Sequence, residues 1–358
     1  MHRGGISKMK LWKRIAAAFL AVCMTLPFAA CSGDTSWVYD YDDIQITSGM
    51  YIAFTMSAYS QVSQQDDYDS EKSILDQTIE DKSATEWIRE RAGALADEYV
   101  ATLRKFDELG LSLDENDQKD IDGTVKTYWE NYGEMYEKNG VGEASYRKLI
   151  EAQIKRYKVF LKYYGEGGLE EVPVSELKTH FKENFASVNI LSMSLATGDE
   201  LTDEQKEENA SRKEKANEYA ELLNSGEKTF PEVYDMWQHY LLKTEHSDDE
   251  KLQDEMDMST YIQKDSTSPS EKIVKSIFSD VAIDGDAKVL TSDSALYVVK
   301  RYDVMKDDKN LEDMRETVLS DIKSDDFLEM LEGWSKDLTR TTNDGAYNRY
   351  DPKNIKLS

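Results

Sequence analysis

Apolar positions in this chain recur mostly at steps of three and four, the spacing of one helix face, and alternate at steps of two in only a few short stretches. Near the front, Trp37-Val38-Tyr39 sits among acidic residues and Ile44 alternates with Ile46, a pattern for a small strand or hairpin. Thr47 and Ser48 offer hydroxyls at the start of a helical pattern through Met50 and Phe54 toward Val62, and residues 64–73 read as a polar loop. The clearest helix opens with Ser83-Ala84-Thr85-Glu86, a capping box in which the Ser83 hydroxyl and the Glu86 carboxylate each satisfy a free backbone N–H. Ile88, Ala92, Leu95, Tyr99, Leu103 and Phe106 follow as one apolar stripe, and Gly110 is placed to stop it. Two more stripes run through Ile121, Val125, Tyr128, Tyr132 and Met135, and through Tyr146, Leu149, Gln153, Tyr157, Phe160 and Tyr164. Residues 48–164 are therefore expected to form a helical domain.

Gly165-Glu166-Gly167-Gly168 followed by Pro173 breaks the periodicity and marks a domain boundary. Beyond it, a short amphipathic helix over residues 175–184 leads into the strand-like run 188–195, where Ser192 and Ser194 supply alternation. A charged helix over residues 203–224, stopped by Gly226, precedes Phe230 and Val233; residues 244–257 read as an acidic loop. Asp284-Gly285-Asp286 predicts a turn ahead of the β-prone residues 295–299. Past Asp307 the helical stripe returns through Leu311, Met314, Val318, Ile322, Leu328, Leu331 and Leu338. One late helix cannot bury its own stripe, so the helical domain is expected to receive it. The fold expected is α+β: a mostly helical body built from both chain ends, divided as 31–172 and 307–358, carrying an α+β insert over 173–306.

The first thirty residues change the picture of where this fold works. Arg3, Lys8, Lys10, Lys13 and Arg14 precede an apolar run over residues 15–26 and small residues at Ala29 and Ala30, the build of a secretory signal. The run falls short of the roughly 20 residues of a lasting membrane-spanning helix. Cleavage between Ala30 and Cys31 takes five cations with it and moves the net charge from -27 to -32. A field of that sign disfavours nucleic acid and anionic headgroups and keeps an exported protein soluble. Cys23 lies in the part removed, which leaves Cys31 alone and excludes a disulfide framework, a thiolate nucleophile or a cysteine-based zinc site.

Catalytic schemes that need particular residues at particular spacing are absent. No Gly-rich phosphate loop and no Gly-x-Ser-x-Gly elbow occur, and three Ser-x-x-Lys matches, at Ser145, Ser175 and Ser320, lack their companion motifs. His180, His239 and His246 include no His-Glu-x-x-His pair, and a solvated His239 and His246 is the better reading than a metal site. Asp114, Asn116 and Gln118 resemble a calcium loop, but Lys119 stands where that loop needs glycine. No cofactor and no metal are expected.

Phe28-Ala29-Ala30-Cys31 resembles the lipobox of bacterial lipoproteins, which implies a diacylglycerol thioether on Cys31; Phe28 replaces the usual leucine. The order of parts, from lipobox through helical domain, linker, insert and returning helix to Tyr350-Asp351-Pro352-Lys353, resembles the PrsA and SurA family of extracytoplasmic foldases. In that family a helical chaperone body carries a parvulin-type prolyl isomerase domain. The resemblance aligns residues 187–195 with the first parvulin strand, 216–230 with its helix and the turn after it, and Ile277-Phe278 with the segment before its last strands. Parvulins carry a histidine in the first strand and another in the last; here those places hold Ile190 and Tyr297, and the Gly-Gly-x-Leu-Gly segment is missing before Thr260-Tyr261. The resemblance thus implies a membrane-anchored chaperone that binds unfolded secreted proteins without ATP, its isomerase pocket degenerate. An active prolyl isomerase and a solute-binding or adhesive lipoprotein stay open as alternatives.

Overall fold

The computed structural model describes residues 36–198, 200–242, 244, 254–256 and 258–356. Residues 1–35, which include Ala30 and Cys31 and the expected signal segment, lie outside the described residues, as does His246. The fold is mostly helical α+β and divides into two compact units, one reaching Val172 and resuming at Leu319, the other Pro173–Val318.

In the first unit, strands β1 (Trp37–Asp40) and β2 (Gln45–Thr47) pair antiparallel, and Thr47 caps helix α1 (Ser48–Gln61) by accepting the Met50 N–H. Helix α1 is buried along nearly its whole length, which is why its sequence shows little amphipathic contrast. A two-strand hairpin, β3 (Thr78–Ile79) and β4 (Lys82–Ser83), fills part of the stretch before helix α2 (Ala84–Glu108). Only half of the expected capping box forms there. Ser83 accepts the Glu86 N–H, but its own backbone pairs with Thr78 in the hairpin. A complete box sits at Asp114 and Asp117, at the start of helix α3 (Glu115–Lys138). That box gives the calcium-like spacing a structural part, the Asp114 carboxylate accepting the N–H groups of Asn116 and Asp117.

Helix α4 (Glu143–Tyr164) completes the front part of this unit, and its stripe packs with those of α1, α2 and α3 in one core that includes Met50, Trp87, Ile88, Ile121 and Tyr146. The chain's last stretch joins the same core. Strand β9 (Thr341–Thr342) pairs with β1, Tyr39 opposite Thr342, and helix α10 (Asp344–Arg349) buries Ala346.

In the second unit, helix α5 (Val174–Asn184) leads into strand β5 (Phe185–Ser194), and helices α6 (Asp203–Asn224) and α7 (Phe230–Leu242) follow. Strand β6 (Thr260–Gln263), helix α8 (Glu271–Ser279), and strands β7 (Lys288–Thr291) and β8 (Ala295–Tyr302) complete it. The four strands form one antiparallel sheet in the order β6-β5-β8-β7. Strand β5 is central, so its first half is buried on both faces and only its end alternates. Helix α9 (Asp308–Lys336) spans the divide, which falls at Leu319 within it rather than at residue 307.

Candidate functional site

The sheet of the second unit separates two apolar clusters. Leu191, Met193, Leu296 and Val298 point to one side, against Ala216, Tyr219 and Leu223 of α6 and Phe230, Val233 and Trp237 of α7. Val188, Tyr297 and Val299 point to the other, against Ile273, Val274 and Ile277 of α8, with Ile190 and Phe278 at the margin.

Ile190 and Tyr297 lie on that second face. The register sets Ile190 opposite Val299 and Ser192 opposite Tyr297, which makes Ile190 and Tyr297 diagonal neighbours on paired strands. Both belong to the apolar cluster under α8. The charged group on this face is Arg301, 8% exposed, whose guanidinium donates to the carbonyls of Ile277, Phe278 and Val281 and lies 4.9 Å from the centre of the Phe278 ring. Burial holds its pKa below the ordinary arginine value. Arg301 therefore caps the carboxyl end of α8, meeting the Ile277 and Phe278 carbonyls of its last turn and the Val281 carbonyl just beyond it. His180 lies in α5, and His239 lies in α7, where Nδ1 is 2.7 Å from the Thr244 hydroxyl; neither is on the sheet.

Polar side chains gather instead on the first face, at one end of the strands. Asn189, fully buried, donates through Nδ2 to the Tyr302 hydroxyl at 3.0 Å and to the Glu255 carbonyl at 3.0 Å. The Tyr302 hydroxyl in turn donates to the Glu255 carboxylate at 2.6 Å, which Lys300 approaches at 3.0 Å. Burial first, and the Glu255 carboxylate next, raise the Tyr302 pKa well above the usual tyrosine value, so this hydroxyl stays protonated and acts as a donor. The cluster fixes Glu255 by its backbone and its side chain together. Chemically it is a clamp.

Among the described residues no group of three His, Cys, Asp or Glu could hold a metal ion, and no helix is long and apolar enough to cross a membrane. The aromatic residues of the helical unit mostly pack on one another. Trp87 and Phe106 are buried in the core, Trp129 stacks on Tyr136 at 6.1 Å, and Phe160 meets Phe327 edge to face at 5.4 Å. Exposed apolar surface appears elsewhere, on the outer side of α7, at Tyr234, Leu241 and Leu242. Their spacing of seven and eight residues is that of one helix face. The adjacent Leu241-Leu242 pair, following an amphipathic stretch that already buries Val233 and Trp237, was the available sequence signal for this stripe.

No family model and no curated protein matches the chain. Solved structures do. The chain is similar to foldase protein PrsA from Streptococcus pneumoniae str. Canada MDR_19A, with 19% identity over 73% of this chain and 90% of that one, at a TM-score of 0.38. Foldase protein PrsA from Lactococcus lactis is 13% identical over 90% of this chain and 100% of that one, at 0.36. PrsA from Bacillus subtilis is 13% identical over 90% and 93%, at 0.30.

Proposed function

We propose that this chain is a lipid-anchored, extracytoplasmic foldase that holds non-native secreted polypeptides without nucleotide, and that its sheet-bearing unit has lost prolyl isomerase activity. The observation that carries the reading is architectural: a four-stranded antiparallel sheet unit over Pro173–Val318 interrupts a helical unit built from both ends of the chain. A two-lobed solute-binding protein would instead need parallel strands alternating with helices in both halves. The leader and the Cys31 lipobox supply the address, and the strongly acidic surface keeps the tethered protein off anionic envelope.

The loss of isomerase chemistry rests on the face under α8. Rotation about an X-Pro bond has a barrier near 20 kcal/mol. Lowering it in the parvulin manner needs polar groups at the two positions that here carry Ile190 and Tyr297, and both side chains join an apolar cluster. Arg301, 8% exposed, spends its Nη1 on three carbonyls. What remains is capture by apolar surface, worth about 25 cal/mol per Å² buried, for which the α7 stripe is exposed.

The test uses the chain from Ser32 onward. It should delay aggregation of an unfolded client and leave the isomerisation rate of an X-Pro peptide unchanged. Acceleration of the peptide would overturn the loss of activity, and failure to delay aggregation would overturn the chaperone reading. Separately, Cys31→Ala should abolish membrane fractionation in cells while the soluble protein retains its circular dichroism and client binding.

A further inference from the structure

Helix α3 ends in a motif that dictates one residue and exposes another to chemistry. Gly140 follows the cap with φ +88°, its N–H donates to the Glu137 carbonyl at 2.9 Å, and the Val141 N–H donates to the Tyr136 carbonyl at 2.9 Å. This is a Schellman ending, and its left-handed position calls for glycine. Asn139, the cap itself, uses its carboxamide to hold a distant stretch of chain. Nδ2 donates to the Met135 carbonyl at 2.8 Å and to the Lys356 carbonyl at 2.7 Å, and Oδ1 accepts the Lys356 N–H at 2.8 Å. The side chain thus pairs with both backbone groups of Lys356, as a neighbouring strand would. Ile355, beside it, packs against the core of the helical unit.

Asn139-Gly140 is the chain's one Asn-Gly sequence. With no side chain on the following residue, the Gly140 amide nitrogen can reach the Asn139 side-chain carbonyl carbon with little steric opposition. We propose that Asn139 is a deamidation site whose conversion loosens the segment 353–356, and that docking of that segment slows the conversion. The Gly140 nitrogen, giving up its proton, bonds to Cγ of Asn139 while the Cγ–Nδ2 bond breaks, and Nδ2 leaves with that proton as ammonia. Water then opens the resulting five-membered imide at either carbonyl, giving aspartate or, with the backbone rerouted through Cβ, isoaspartate. The balance is one water consumed and one ammonia released, with no redox change.

Two features of the docked state oppose the first step. The attacking N–H is engaged with Glu137, and three hydrogen bonds hold the carboxamide in place, two of them to Lys356. The product works in the opposite direction. An aspartate has no donor for the carbonyls of Met135 and Lys356, and it sets a negative charge at the carboxyl end of α3, where the helix dipole disfavours one. Deamidation and release therefore reinforce each other, which suits a slow, one-way change in a protein working outside the cell.

The experiment incubates the chain from Ser32 at mildly alkaline pH and follows residue 139 by peptide mapping, beside a chain ended after Lys353. The shortened chain should accumulate aspartate and isoaspartate at residue 139 about tenfold faster, given the loss of two hydrogen bonds to the carboxamide. Asn139→Asp should show faster backbone hydrogen exchange over residues 353–356 than the unmodified protein, without any incubation. Equal conversion rates in the two chains, no conversion in either, or unchanged exchange in Asn139→Asp would each overturn the proposal. The rate comparison stands without the Asn139→Asp variant, should that variant not fold.

Discussion

The two units of this protein hold themselves together by different means. In the sheet unit the specific information lies in strand register, which sorts most apolar side chains of β5 and β8 into two clusters. In the helical unit it lies in a few polar and aromatic contacts between residues far apart in sequence. Arg340 is the centre of one such set. It forms an ion pair with Asp97, donates to the Gly93 carbonyl at 2.9 Å, and lies 4.2 Å from the centre of the Tyr39 ring, while Tyr41 donates to Asp97 at 2.6 Å. A methyl group on Gly93 would stand 2.7 Å from the Arg340 guanidinium. The lesson is that the chain closes its helical unit by a fastening at the ends, and its inserted unit by burial on both sides of a sheet.

The comparison breaks if damage to one unit spreads. The largest effect is expected from Leu191→Ala, which removes a side chain 1% exposed between the sheet and the α6–α7 pair. About 3 kcal/mol of stability should be lost, and hydrogen exchange should rise over residues 185–302 while the helical unit keeps its protection. Arg340→Ala comes next. It leaves Asp97 half-buried with Tyr41 and opens the fastening, for about 2 to 3 kcal/mol. Unfolding in urea, followed by tryptophan fluorescence in a Trp237→Phe background, reports on the helical unit, because among the described residues the remaining tryptophans, 37, 87, 129 and 334, belong to it. Equal loss of protection in both units would mean that the division has no energetic content.

Tyr302→Phe sharpens the contrast from inside the sheet unit. It removes the hydroxyl that links Asn189 to Glu255 and should cost about 1 to 2 kcal/mol. The loss should concentrate as faster exchange around residues 254–256 and leave the α8 face unchanged. A change of equal size on the Ile190 and Tyr297 side would show that the two faces are not independent.

How far each unit was legible in the sequence follows from the same contrast. The long helices α2 and α6 announced themselves, α2 by Ser83 and its stripe, α6 by Gly226 beyond its end, whereas the short helices α7, α8 and α10 were not anticipated. Nor was the fastening. Thr341–Thr342 is too short a strand to carry a pattern, and its partner Tyr39 is three hundred residues away. Nothing near Gly93 signals that a guanidinium will lie against it. The β3–β4 hairpin was missed for another reason. Its turn places Glu80 and Asp81 at φ 50° and 62°, left-handed positions where an Asn-Gly or Asp-Gly pair is the usual sign. In the sheet, alternation at Ser192 and Ser194 identified the end of β5, but its doubly buried first half shows no period. Asn189 was overlooked for the same reason, and Glu255 carries no signal among so many acidic neighbours.

The smallest effect tests whether the sheet unit, too, depends on a local charge. At the start of α7, Glu232 accepts the Thr229 N–H at 2.7 Å and the Thr229 hydroxyl at 2.9 Å, and Lys228 approaches its other oxygen at 3.1 Å. These contacts, the Thr229 N–H foremost, pull its pKa down to about 2 from an ordinary 4.5. A carboxyl whose folded pKa is depressed stabilises the fold above its unfolded value, and that contribution fades as pH falls from about 4.5 toward 2. Glu232→Gln should therefore lower the urea midpoint of the sheet unit slightly at neutral pH, and the two proteins should converge as the pH approaches 2. The group is partly exposed, so salt should shrink the difference at neutral pH as well. A gap that persists undiminished at low pH would mean that Glu232 acts through its shape, and that charge plays no part in how this unit begins its third helix.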